Sequence, residues 1–210
     1  MKSFYFLILL LLCNLSGLFS QVTKPEKINN EVDLLQTKKL NISIGLGASS
    51  IGFPMYYSNV SFQYKKNIYA VRYVKSKEVL KESLVLFSHA EPFEEIAEYG
   101  LTYGFEQRIA NRIFIQMEGG VGYINGILRG NYISTKSTLF GDIKDYERIR
   151  VSSFSLLLNG TVFYKINKSF SLGSMNTINF NKHEILLSSS IVLKYCLNIN
   201  KQSFKEVENP

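Results

Sequence analysis

The stretch Arg112 to Tyr123, Arg-Ile-Phe-Ile-Gln-Met-Glu-Gly-Gly-Val-Gly-Tyr, reads as a single strand. One parity carries Ile113, Ile115, Met117, Gly119, Val121 and Tyr123, and the other carries Phe114, Gln116, Glu118, Gly120 and Gly122. Successive side chains of a strand leave opposite faces, so the segment has one apolar and one largely polar face. A half-buried strand of a soluble protein looks the same. Seven further segments repeat the pattern, however, and none carries a charge on its apolar face.

In chain order, strand 1 sets Leu40, Ile42, Ile44, Leu46 and Ala48 against Asn41, Ser43, Gly45 and Gly47. Strand 2 (Tyr56 to Tyr64) and strand 3 (through Tyr69, Val71 and Tyr73) flank a tight turn at Lys65-Lys66-Asn67. Lys75 to Glu95 reads as a long connection whose Glu82 to Ser88 portion extends a hairpin. Strand 4 sets Tyr99, Leu101, Tyr103 and Phe105 against Glu98, Gly100, Thr102, Gly104 and Glu106, and Gln107 to Asn111 leads to the opening stretch, strand 5. Asn125 to Ile149, rich in Gly, Ser, Asn and charge, reads as the longest loop. Strand 6 alternates from Phe154 to Tyr164, Lys165 to Lys168 turns the chain, and strand 7 starts at Phe170 but fades near Met175. Strand 8 sets Leu187, Ser189, Ile191, Leu193, Tyr195 and Leu197 against Ser188, Ser190, Val192, Lys194 and Cys196.

The ends belong to something else. Lys2, the apolar run Phe4 to Leu12 and the more polar Asn14 to Ser20 have the anatomy of a secretory signal peptide, residues 1–20, cleaved after Ser20. The run is too short to cross a bilayer as a helix. A lipoprotein reading needs Cys13, but Leu12 before it is too large. Residues 21–39 form a polar lead-in with one helical turn around Val32 to Leu35, residues 40–198 the barrel, and residues 199–210 a polar tail. Cleavage removes one lysine and no acid, so the mature charge is 23 − 17 = +6. The bases are scattered without interleaved aromatics, which with export argues against nucleic acid. Once Cys13 is gone Cys196 stands alone, so no intramolecular disulfide is expected.

The expected fold is all-β: an eight-stranded antiparallel up-and-down transmembrane β-barrel. Connections are short after strands 2, 4 and 6 and longer after 3, 5 and 7, the asymmetry of periplasmic turns and external loops, with both termini periplasmic. Tyr64, Tyr69, Phe105, Tyr164, Phe170 and Tyr195 fall beside the short turns or at the C-terminal end, and Tyr99, Tyr123 and Phe154 at the other, as two aromatic girdles. Phe154 and Tyr164 share a face ten residues apart, and at ~3.3 Å per residue and a tilt of ~40° that spans about 25 Å, the height of an apolar band. The alternative is a soluble eight-stranded barrel with its apolar side inward. Its outside would be polar parity, here mostly Gly, Ser, Asn and Thr; those suit a crowded lumen better than a solvated surface.

Arg72-Tyr73 leading into a loop with Pro92, Tyr99-Gly100-Leu101-Thr102-Tyr103-Gly104, and Gly119-Gly120-Val121-Gly122-Tyr123 through Arg129-Gly130 resemble small outer-membrane β-barrel proteins of the Bacteroidetes type. In architecture the chain is similar to the OmpA/OmpX/OmpW-like group of Gram-negative cell envelopes. The resemblance implies location and fold, with outer-membrane lipid, lipopolysaccharide and the barrel-assembly machinery as partners, and a monomer. It implies no activity. Such barrels often end on an aromatic residue, whereas this chain continues past Tyr195 and Leu197 to Pro210.

Arg72, Glu98, Glu106, Glu118 and Lys194 fall on the interior parity. Eight strands enclose only enough room for side chains, so a salt-bridged plug is favoured over an ion pathway. The histidines, His89 and His183, fall in long loops near Ser88, Glu91, Glu94, Glu95 and Glu184, without the His-x-Ser pattern of a lipid A deacylase. No catalytic, metal or cofactor site is expected. Function then divides between a structural or surface-interaction barrel using loops 75–95 and 125–149, and a narrow, porin-like pore or carrier for small solutes; a lipid-modifying barrel enzyme is a distant third.

Overall fold

A computed structural model describes residues 38–78, 94–138 and 141–199. The expected signal peptide, nearly all of the lead-in, His89, the Glu82 to Ser88 hairpin and the tail beyond 199 lie outside the described residues. Eight strands follow in order: β1 (Lys38–Ser49), β2 (Met55–Tyr64), β3 (Asn67–Lys77), β4 (Glu95–Ala110), β5 (Ile113–Thr138), β6 (Gly141–Lys165), β7 (Phe170–Asn181) and β8 (Ile185–Asn198). Each pairs antiparallel with the next, and β8 pairs back on β1 to close a barrel.

Closure fixes the geometry. A circuit of ladder partners from Lys39 through Gln63, Ile68, Gly104, Glu118, Asn159, Thr177 and Ser188 returns to Ser49, a stagger of 49 − 39 = 10 residues. With strands ~4.8 Å apart and a rise of ~3.3 Å, that stagger tilts eight strands by roughly 40°. So narrow a cylinder crowds its interior. A Cβ on Gly120 would lie 2.0 Å from the Leu101 carbonyl oxygen, and one on Gly100 would meet Leu157 at 2.6 Å and the Arg72 stem at 2.9 Å. Inward glycine on β4 and β5 is thus what lets these strands curl around Arg72.

Parity follows the alternation of the sequence. Ile44, Val60, Val71, Leu101, Val121, Leu158 and Ile191 are exposed, whereas Asn41, Asn59, Gln63, Thr102, Gln116, Asn159 and Thr177 are buried. The barrel is therefore apolar outside and largely polar within. Two apolar clusters also sit inside. One gathers Met55, Tyr57, Val74, Phe163, Met175 and Val192, and the other, near the end of the long strands, gathers Ile51, Ile96, Ile124, Val151 and Leu186.

Several expected boundaries are corrected. Asn125 to Ile149 is not a loop: β5 and β6 stay paired from Ile113↔Tyr164 to Thr138↔Gly141, with register shifts around Tyr132. Their neighbours stop earlier, at Glu95↔Ile127 and Ser155↔Asn181, so a two-stranded ribbon rises beyond the barrel. Tyr132 and Tyr146 face each other on it, ring centroids 5.8 Å apart, and such cross-strand aromatic pairs hold a sheet where turn-forming residues suggest a loop. β4 continues through Gln107 to Ala110, leaving Asn111-Arg112 as the turn. β7 runs its full twelve residues rather than fading at Met175. The connection after it is short, because the Asn181 side-chain oxygen accepts the backbone N–H groups of His183 and Glu184 and turns the chain at once.

Val71 is 60% exposed near the middle of the outer apolar belt. Val71→Arg is expected to destabilise the protein by ~2–4 kcal/mol when folded into phosphatidylcholine vesicles, with Val71→Leu near wild type. Urea titration of both variants checks this, and equal stability would mean that the belt does not meet lipid.

Candidate functional site

The interior polar residues form two linked layers. In one, Arg72 Nη2 lies 2.6 Å from Glu98 Oε1, with both side chains almost fully buried. Arg72 pairs with Gly100 on the β3–β4 ladder, so Glu98, two residues away on the same face, is its diagonal neighbour. From across the lumen, Asn179 of β7 donates to Glu98 Oε2, and Arg72 Nη1 donates to Asn159 of β6. The guanidinium also stands 5.9 Å from the Tyr57 ring centroid. Nearer the short turns, Lys194 Nζ lies 2.6 Å from Glu106 Oε2 and donates to Gln116 Oε1 at 3.0 Å, while Gln63 donates to Glu106 Oε1 at 3.2 Å. β8 and β4 are not ladder neighbours, so this ion pair ties opposite walls together.

Glu118 joins the layers without a cation of its own among the described residues. Its carboxylate accepts from Thr102 Oγ1 at 2.5 Å, from Asn159 Nδ2 at 3.5 Å, and from Gln116. Asn159 in turn receives Arg72, and Gln116 receives Lys194. Of the interior carboxylates it is Glu98 that pairs with Arg72, and an amide, Asn159, relays Arg72 to Glu118. The signal for this lay in the asparagines and glutamines of the polar parity, Gln63, Gln116, Asn159 and Asn179. They are the relays of the network.

The outer end has a separate pair. Arg129 Nη2 lies 2.8 Å from Glu78 Oε2 and stands over the Tyr146 ring, at 5.4 Å. On the outer wall Lys75 pairs with Glu95 at 2.7 Å. His183 is exposed, in a short connection rather than a long loop, and its ring makes no hydrogen bond among the described residues. Glu184 beside it is pushed above the ordinary carboxylate range, by lost solvent and by Glu94, with His183 acting against. Among the described residues no group of His, Cys, Asp and Glu is arranged to hold a metal.

The expected girdle residues are on the outer face. Tyr64, Tyr69, Phe105, Tyr164, Phe170, Tyr99, Tyr123 and Phe154 are exposed, and Tyr195 is half-buried with its ring centroid 4.9 Å from that of Phe170. Tyr123 and Phe154 meet edge to face at 5.7 Å.

Among solved structures the barrel is similar to the N-terminal β-barrel domain of Pseudomonas aeruginosa OprF, with a TM-score of 0.53 and 8% identity, covering 77% of this chain and 100% of that one. It is also similar to Neisserial surface protein A, NspA, with a TM-score of 0.50 and 11% identity, covering 76% and 95%. The likeness is one of fold, the closed eight-stranded barrel of outer-membrane proteins. No protein-family model and no curated protein matches the sequence. The narrower resemblance to barrels of the Bacteroidetes type gains no support from these comparisons.

Removing one member of a buried ion pair strands the other, at ~3–5 kcal/mol. In a double-mutant cycle measured by urea unfolding, Arg72→Met and Glu98→Met are expected to couple strongly, with the double variant recovering part of either loss. Arg72→Met and Glu118→Gln, linked through Asn159 alone, are expected to couple more weakly. The reverse order would contradict the contact pattern.

Proposed function

We propose that this chain is a surface-interaction barrel of an outer membrane, closed to ions, with both termini periplasmic and the β5–β6 ribbon as the element that meets other molecules. The observation that carries the proposal is the inversion of polarity. A soluble barrel packs apolar side chains within and displays polar ones. Here Ile44, Val71, Leu101, Val121 and Ile191 are displayed, while Arg72, Glu98, Glu118, Asn159 and Lys194 are packed. Lipid is the solvent that suits such a surface. The secretory segment at residues 1–20 and the aromatic positions at two heights support the same location.

Closure to ions rests on the lumen's contents. Ion pairs and amide relays cross it from β3 to β6 and from β4 to β7 and β8. Above them, Ile51, Ile96, Ile124, Val151 and Leu186 fill the outer mouth with hydrocarbon. An ion entering there meets apolar side chains, at the cost of its hydration. The ribbon supports the interaction role because it exposes Tyr132, Ile133 and Ile149 beyond the barrel, more apolar surface than tethering a turn requires.

Purified protein in a planar bilayer is expected to give no steady conductance, and an epitope inserted at Lys136 is expected to be labelled on intact cells while one after Pro210 is not. A steady open level whose ion selectivity changes in Glu118→Gln would establish the pore reading instead. Labelling of the C-terminal tag on intact cells would overturn the orientation.

A further inference from the structure

The outer wall carries a feature that neither a closed lumen nor an interaction ribbon requires. Arg148 and Arg150 of β6 are both exposed, and among the described residues neither guanidinium has a hydrogen-bond or ion-pair partner. The ladder runs without a register shift from Tyr123↔Phe154 through Ile127↔Arg150 to Arg129↔Arg148. Both arginines therefore lie on the face of Phe154 and Ser152, the lipid-facing side. That side is marked by the 2.7 Å hydrogen bond between the Tyr123 and Ser152 hydroxyls and by Phe154 at 81% exposure. Opposite Arg148 stands another arginine, Arg129, which is turned to Glu78, so the ladder offers Arg148 a like charge rather than a counter-ion.

From Phe154, its one residue on the arginines' own strand, an apolar trough of about 600 Å³ runs across the same face from β5 to β1, bordered by Tyr99 and Tyr123 and lined by Ile42, Val60, Val71, Leu101 and Val121. Arg150 is four residues beyond Phe154, about 13 Å along the strand and roughly 10 Å in height at this tilt. A guanidinium on a long stem spans much of that gap, reaching from the ribbon to the level of head groups. Two residues apart on one face, the arginines stand roughly 7 Å from each other, a spacing from which both converge on one phosphate with charge-assisted hydrogen bonds.

We propose that this wall is a binding site for a phosphate-bearing lipid of the outer leaflet, its phosphate held by Arg148 and Arg150 and an acyl chain lying in the trough beneath Tyr123 and Phe154. This rests on the membrane reading above. The occupant follows from the pairing of features: a long apolar bed topped by two unneutralised cations complements an amphiphile with an anionic head, and a free anion would have no use for the bed. Conserving charge, the site binds without any covalent step.

The chain contains no tryptophan, so a single one introduced into the trough reports on what fills it. Val121→Trp, in the full mature protein reconstituted in phosphatidylcholine bilayers, is to be titrated with brominated phosphatidic acid or with brominated phosphatidylcholine. Phosphatidic acid is expected to quench more strongly at equal bilayer fraction, with an apparent preference on the order of tenfold, the weight of two arginines at a charged interface. Arg148→Gln with Arg150→Gln should abolish the preference, high salt should weaken it, and Ile191→Trp on β8, outside the trough, should show none. Equal quenching by both lipids at Val121→Trp, or a preference that survives the double arginine change, overturns the lipid site and leaves the membrane reading intact. Absence of quenching by either lipid overturns both.

Discussion

The hydrogen-bonded seam between β1 and β8, from Lys39↔Asn198 to Ser49↔Ser188, is the constraint on which everything else in this barrel depends. An open sheet with this outer face would leave a row of N–H and C=O groups along each edge with hydrocarbon for a neighbour, at several kcal/mol per group. Closing the sheet satisfies them, and closing it with eight strands and a stagger of ten residues sets the tilt and the bore. The bore then dictates the interior: glycine at position 120 where the neighbouring backbone crowds in, glycine at position 100 where the Leu157 and Arg72 side chains do, and side chains long enough to reach across elsewhere.

On the proposed membrane reading the apolar outer face gains nothing from packing against itself, and the forces that hold the walls together come from the ladder and from the lumen. That gives the buried polar residues an unusual part. Arg72–Glu98 braces neighbouring strands diagonally, whereas Lys194–Glu106, Arg72–Asn159 and Asn179–Glu98 span the bore. Each trans-lumen contact opposes flattening of the cylinder. Glu118 sits between the two layers, held by an amide or hydroxyl from β4, β5 and β6 rather than by a cation. The same packing that braces the barrel also fills it.

What could be read from the residues was the parity, because a period of two survives any error in strand ends. Ile42, Leu101 and Val121 fall on the apolar parity and are exposed, and Asn41, Arg72, Thr102 and Glu118 fall on the polar parity and are buried. Strand ends were less legible, because a strand stops where its partner stops, not where its own residues change character. Gly126, Gly130 and Asn131 look like loop residues, yet Gly126 pairs with Val151, and Gly130 and Asn131 fall in a bulge between the pairs Arg129↔Arg148 and Tyr132↔Tyr146, so the ribbon continues through them. β7 was hidden for a related reason: Ser174, Asn176 and Asn181 dilute its alternation, and pairing with both β6 and β8 holds it regardless. The partners inside the lumen were beyond reach without the stagger. Glu98 rather than Glu118 meets Arg72 because of register, which no single strand encodes.

The central claim is that this barrel turns its apolar face to lipid and its polar face to a packed lumen. A nitroxide scan along β5 from Ile113 to Thr138, on a Cys196→Ser background in phospholipid bilayers, tests it most directly by comparing collision with oxygen and with a water-soluble nickel chelate. The account requires oxygen-dominated collisions at Ile115, Met117, Val121 and Tyr123, low access to both agents at Gln116, Glu118 and Gly122, and nickel access on both parities once the ribbon clears the barrel beyond Leu128. Nickel access at Met117 and Val121, with the same alternation otherwise intact, would mean that water and not lipid bathes the outer wall.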